Sequence, residues 1–136
     1  MYLLDKVLEK VYMITPNYDE IQGLYPDKTI SETIDHIKSR TNIYLKGGHR
    51  LDKKGWDELY YSKNLQCHIP PIATKIYSKH GSGCVLSSAL AANLKAGLPL
   101  EEAAFSAKKY IEKFLNSNET LLGIHDYEAL GEHKRT

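Results

Sequence analysis

His80-Gly81-Ser82-Gly83-Cys84-Val85-Leu86-Ser87-Ser88-Ala89-Leu90-Ala91-Ala92 sets two glycines around a serine and runs at once into helix-forming residues. Glycine lets the backbone turn tightly and brings its N–H groups close to a ligand. The first turn of the helix that follows leaves N–H donors without helical partners and carries a partial positive charge. Gly81, Ser82, Gly83 and Cys84 therefore read as an anion hole suited to phosphate. Cys84 stands where such donors favour a thiolate, which makes it a candidate base. The plainer alternative is a glycine turn before a core helix with a buried cysteine.

Outward from that loop, the chain alternates short apolar runs with helical patterns. Val11-Tyr12-Met13-Ile14-Thr15 reads as a buried strand stopped by Pro16, with the end of a helix before it over Leu3 to Lys10. Tyr18 to Leu24 reads as a short helix. Thr29 with Glu32 three residues on makes a capping box, and Ile30, Ile34 and Ile37 follow at helical spacing. A second strand over Thr41 to Lys46 ends in Gly47-Gly48-His49-Arg50, and strand–helix–strand at this spacing predicts a parallel crossover. Arg50 to Lys54 is a charged loop. Asp57 to Tyr61 and Leu65 to Ile69 predict two strands joined by a tight turn around Lys63-Asn64. Cys84 to Ala96 then forms a small-residue helix stopped by Gly97 and Pro99, and Leu100-Glu101-Glu102 opens a last long helix. Its apolar face is Ala103, Ala104, Ala107, Tyr110, Ile111 and Phe114. The class is α/β, a mainly parallel sheet with flanking helices and a short antiparallel pair.

Totals narrow the function. The 136 residues suit one domain, read as 1–126 with a polar tail over 127–136. Eighteen Lys and Arg against seventeen Asp and Glu leave no basic stretch, which argues against nucleic acid and against an anionic membrane surface. No apolar run reaches membrane-spanning length, and the start lacks the pattern of a signal peptide. Cys67 and Cys84 lack metal-type spacing, so free thiols in the cytoplasm are the expectation, with Cys67 in the core. Ten tyrosines against two phenylalanines is unusual.

In parallel sheets, ligands collect beyond the strand C-termini. Asn17, Glu20, Lys46, Gly47 and Gly48 fall at or just past such ends, on the rim expected for the Gly81 loop. Phosphoryl transfer needs anion donors, a cation or metal, and a base near the acceptor hydroxyl. Lys46 could pair with a phosphate, or be an ordinary strand-end lysine. Asn17 and Glu20 could hold a hydrated magnesium, or be a turn residue and an exposed helix acid. His49 and His80 flank the same rim, where either could touch phosphate or satisfy backbone groups, and the second reading is favoured for both.

These segments resemble one family. His80-Gly81-Ser82-Gly83-Cys84-Val85-Leu86-Ser87-Ser88-Ala89, Thr15-Pro16-Asn17-Tyr18-Asp19-Glu20 and Lys46-Gly47-Gly48-His49 are similar, in order and spacing, to motifs of the hydroxymethylpyrimidine/phosphomethylpyrimidine kinases of thiamine biosynthesis. Asn116-Ser117-Asn118 adds a looser match. The resemblance covers roughly residues 8 to 125 and implies a ribokinase-like fold. It implies transfer of the ATP γ-phosphate to hydroxymethylpyrimidine and then to its monophosphate, with magnesium. It gives Cys84 the role of catalytic base, Gly81, Ser82 and Gly83 the anion hole, and Lys46 with Gly47 and Gly48 an ATP contact. Asn17 and Glu20 take magnesium and phosphate organisation, through water. Ser82 replaces the family's usual threonine and keeps the hydroxyl. Pyridoxal-type kinases share the Gly-x-Gly-Cys signature and are the alternative; a non-catalytic nucleotide-binding or dimerising fragment is a third reading. Family members run to about twice this length, so the chain is expected to be a C-terminal, nucleotide-side half. Its exposed sheet edge would then take a missing N-terminal half, or a second copy, as partner.

Overall fold

The computed structural model describes residues 3–47, 55–71 and 82–116. The chain divides into two compact units, Met1–Pro70 and Pro71–Thr136. In the first unit α1 (Leu3–Leu8) leads into β1 (Met13–Ile14), followed by α2 (Tyr18–Leu24), α3 (Ile30–Lys38), β2 (Asn42–Leu45), β3 (Asp57–Tyr61) and β4 (Leu65–Ile69). The second unit holds α4 (Ser82–Lys95) and α5 (Leu100–Leu115). Predicted elements and observed ones coincide closely, because capping and breaking residues stand at their ends. Thr29 accepts from the Glu32 N–H at 3.2 Å while Glu32 reaches back to the Thr29 N–H at 3.4 Å, the reciprocal pattern of a capping box.

The sheet runs β1-β2-β3-β4. β1 pairs with β2 in parallel, Met13 beside Asn42 and Ile14 beside Ile43, as the crossover through α3 predicts. The balance of the sheet differs from the expectation of a mainly parallel one: β2–β3 and β3–β4 are both antiparallel. The physical reason lies in connection length. A parallel return needs a crossover of a dozen or more residues, commonly a helix, and the charged segment between β2 and β3 carries no helical apolar stripe. β4 follows β3 through a turn in which Ser62 and Lys63 adopt positive φ angles of 51° and 65°. The β1 strand is also shorter and less buried than the run Val11–Thr15 implies, since Val11 and Tyr12 are exposed.

Leu8, Ile21, Tyr25, Ile37, Ile43, Leu45 and Tyr60 form the core of the first unit, with Leu4, Ile14, Tyr18, Leu24 and Ile34 packed against it. A buried carboxylate ties this core to α1. Asp5 accepts hydrogen bonds from the Tyr25 hydroxyl and from His36 Nε2, and Arg40 Nη2 stands 3.9 Å away. The Tyr25 and His36 hydrogen bonds hold the Asp5 carboxyl below its ordinary value of 3.8, with smaller help from the charges of His36 and Arg40, and against the opposing effect of burial. A depressed folded-state pKa stabilises the fold above the ordinary carboxylate range, and that contribution is lost as pH falls through the folded value. Urea unfolding between pH 5 and pH 2.5 is therefore expected to show an acid-side loss of stability that Asp5→Asn flattens. An unchanged profile in Asp5→Asn would remove Asp5 from that role.

In the second unit α4 ends in a Schellman arrangement. Gly97 has φ +92°, its N–H donates to Leu94 O at 3.0 Å, and Leu98 N–H donates to Asn93 O at 3.2 Å. The predicted apolar face of α5 is buried throughout: Ala103, Ala104, Ala107, Tyr110, Ile111 and Phe114. Asn93 Nδ2 on α4 donates to Ala103 O at 3.1 Å, joining the two helices through a buried bond. Lys108 and Glu112 are also buried on α5 and stand 3.7 Å apart, a pair that the apolar periodicity does not reveal.

Candidate active site

Two strand ends meet in the first unit. Beyond the last regular pairing of β1 with β2, Asn17 and Lys46 form a parallel bridge, and the Lys46 N–H donates to Pro16 O at 2.9 Å. The Asn17-x-x-Glu20 and Lys46-Gly47 motifs, far apart in sequence, are thus adjacent at the C-terminal end of a parallel pair, where α/β sheets present ligand sites. Asn17 is also the N-cap of α2. Its Oδ1 accepts from the Glu20 N–H at 2.7 Å, and Glu20 Oε1 accepts from the Asn17 N–H at 3.0 Å. This second capping box engages one oxygen of each side chain. The remaining Glu20 carboxylate oxygen sits on an exposed residue at a helix N-terminus.

That donor set fits magnesium only loosely held. Among the described residues no group of three or more His, Cys, Asp or Glu could hold a metal ion. Magnesium keeps several waters and is commonly bound through one or two carboxylates together with phosphates. Glu20, with Asn17 holding it in place, suits contact through such waters.

Lys46 is half-buried and Gly47 is buried. The Gly47 N–H donates to Asp57 Oδ1 at 3.0 Å, and the Tyr44 hydroxyl donates to Asp57 Oδ2 at 2.6 Å. Asp57 belongs to none of the motifs read from the sequence; a charged residue opening a predicted strand is the only signal that could have marked it. Gly48, His49 and the Arg50–Lys54 loop lie outside the described residues, as do His80, Gly81 and the 127–136 tail.

In the second unit α4 begins at Ser82, two residues before the predicted start. Ser82, Gly83 and Cys84 are therefore helical and form the first described turn of α4. Cys84 is exposed, unlike the buried cysteine of the plainer alternative. Cys67 on β4 is half-buried, and burial pushes its thiol up from 9.0, which suits an inert packing role. Among the described residues no helix is long and apolar enough to cross a membrane.

Comparison with known proteins gives one family. The family model described as phosphomethylpyrimidine kinase matches residues 1–127. A hydroxymethylpyrimidine/phosphomethylpyrimidine kinase of Aquifex aeolicus is 30% identical over 129 residues, covering 88% of this chain and 49% of the relative. A pyridoxine kinase of Bacillus subtilis is 30% identical over 108 residues, covering 73% of this chain and 40% of the relative. Among solved structures, a ribokinase from Thermotoga maritima superposes with a TM-score of 0.74 at 21% identity, covering 96% of this chain and 44% of that one. A pyridoxal kinase from Staphylococcus aureus gives 0.72 at 25% identity, covering 93% and 51%. The fold is ribokinase-like, and the chain spans about half the length, or less, of these proteins.

Proposed function

The chain belongs to the phosphomethylpyrimidine kinase family, and from that membership we propose that it is the nucleotide-side half of a kinase. Residues 1–126 carry that half and 127–136 a polar tail. The reaction is transfer of the ATP γ-phosphate to the hydroxyl of hydroxymethylpyrimidine, and then to its monophosphate, in thiamine biosynthesis. The observation that carries this reading is the bridge that sets Lys46 beside Asn17 at the end of the parallel pair. ATP with magnesium supplies the activated phosphoryl group and spreads its charge. Lys46, Gly47 and Gly48 would hold the nucleotide phosphates, and Glu20, braced by Asn17, would hold magnesium through water. The N–H groups of Gly81, Ser82, Gly83 and Cys84 receive charge that develops on the transferred group. The Cys84 thiolate takes the proton of the substrate hydroxyl as its oxygen bonds to phosphorus and ADP leaves.

On this reading the pyrimidine pocket would be built by the part of the family's length that this chain does not span. An N-terminal half, docked at the β1 edge, is the partner this reading requires. A pyridoxal-type substrate is the second reading, favoured by the likeness to the pyridoxine and pyridoxal kinases. The test is an ATP-dependent phosphorylation assay of the chain alone and mixed with the N-terminal half of the Aquifex relative. Hydroxymethylpyrimidine, its monophosphate and pyridoxal are offered side by side. Transfer to the pyrimidines by the mixture alone is expected. Preference for pyridoxal would replace the first reading with the second, and failure of the chain to bind ATP would overturn both. Lys46→Ala is expected to weaken ATP binding roughly 10- to 100-fold, the range for losing a charge-assisted contact.

A further inference from the structure

We propose that Asp57 is a positioning residue that fixes the backbone on which Lys46 is carried, so that the ammonium is presented to its anion from one direction. The inference rests on the reading of Lys46 as a nucleotide contact. A lysine ammonium is a point charge on a flexible stem, so the fold can control its aim only at the backbone end of that stem. Here the two successive N–H groups around Lys46 are held from opposite flanks. The Lys46 N–H donates to Pro16 O at 2.9 Å on the β1 side. The Gly47 N–H donates to Asp57 Oδ1 at 3.0 Å on the β3 side.

The register explains why a side chain does this work. Leu45 beside Glu58 is the last regular pair of β2 with β3, so Asp57 lies where the ladder would continue. Its carboxylate takes the Gly47 N–H in place of a ladder bond. Gly47 is buried, and a buried N–H without an acceptor is costly. The second carboxylate oxygen is anchored by the Tyr44 hydroxyl at 2.6 Å, and Tyr44 itself is fully buried. Asp57 is buried as well, so this charge-assisted bond is little screened by salt and holds the Lys46–Gly47 peptide in one orientation. A peptide fixed before the ligand arrives spares the ordering cost on binding.

The experiment measures affinity for a non-hydrolysable ATP analogue with magnesium by calorimetry. It compares the wild-type chain with Asp57→Ala, Asp57→Asn, Lys46→Ala and the double variant Asp57→Ala/Lys46→Ala. Amide hydrogen exchange at Gly47 is followed in parallel. Asp57→Ala is expected to weaken binding roughly 10-fold and to speed Gly47 exchange. Asp57→Asn, whose amide oxygen still accepts from Gly47, is expected to stay within about 3-fold of wild type. In the Lys46→Ala background, Asp57→Ala is expected to add nothing, because the two act through one contact. An equal loss in both backgrounds would make Asp57 merely structural, and unchanged affinity in folded Asp57→Ala would also overturn the proposal. Should Asp57→Ala fail to fold, judged by the fluorescence of the single tryptophan, Trp56, the wild-type Gly47 amide decides: free exchange there overturns the proposal. A wild-type chain that binds no analogue overturns the nucleotide reading of Lys46 and Asp57's role with it. Binding by wild type with no Asp57 effect overturns only the latter.

Discussion

Cys84→Ala, in the enzyme completed with an N-terminal half, is expected to lower phosphoryl transfer by about 10²- to 10⁴-fold, the usual contribution of a general base. ATP affinity is expected to stay within about 3-fold, since the backbone N–H groups proposed as anion donors do not depend on the side chain. The variant separates chemistry from folding unusually well. Cys84 is exposed, and truncating an exposed side chain commonly changes stability by less than about 0.5 kcal/mol. A fall in kcat with KM for ATP unchanged assigns the proton transfer to the thiol. A loss of ATP binding would instead make Cys84 part of the scaffold, and full activity would remove it from the reaction altogether.

Ile37→Ala is expected to cost about 2–5 kcal/mol of stability, the range for deleting a large aliphatic side chain from a closed core. Ile37 is fully buried on α3, among Leu8, Ile21, Tyr25, Ile43 and Leu45. That loss is a large share of the roughly 5–15 kcal/mol by which domains are commonly stable. α3 is also the element that returns the chain from β1 to β2 in parallel, so its packing sets where Lys46 arrives beside Asn17. Urea unfolding followed by Trp56 fluorescence measures the effect. A midpoint shift equivalent to less than about 1 kcal/mol would mean that the α3 face tolerates collapse around the gap.

The sequence was most legible where local chemistry is self-sufficient. Thr29 and Glu32 announce the start of α3, and Gly97 announces the end of α4, because capping and left-handed turns depend on residues close together in the chain. The α5 face from Ala103 to Phe114 was legible for the same reason: periodicity is a local property. The sheet was less so. Whether β3 returns parallel or antiparallel depends on what the 46–56 segment can span, and strand propensity says nothing of direction. The candidate site was half legible. Asn17, Glu20 and Lys46 stood out as strand-end polar residues, yet the bridge that joins them is set by β1–β2 pairing and not by either motif alone. Asp57, Asp5 and the Lys108–Glu112 pair were invisible, since burial of a charged residue is decided by partners distant in sequence.

Three of the ten tyrosines have a physical explanation in buried acids. Tyr25 donates to Asp5, Tyr44 to Asp57 and Tyr60 to Glu58, so rings that phenylalanine could fill by shape alone are needed for their hydroxyls. These pairs make the core intolerant of error in a way that oily contacts are not. If β2 slipped by one residue, Ile43 and Leu45 would exchange faces with Tyr44. Apolar residues could partly repack after such a slip, but Asp57 would be left buried with a lost donor, a far heavier cost. Among the described strands β1 is the outermost on its side, with Val11 and Tyr12 exposed beside it. A buried hydroxyl–carboxylate pair therefore weighs the native alignment of the strands against its neighbours more heavily than an oily contact does.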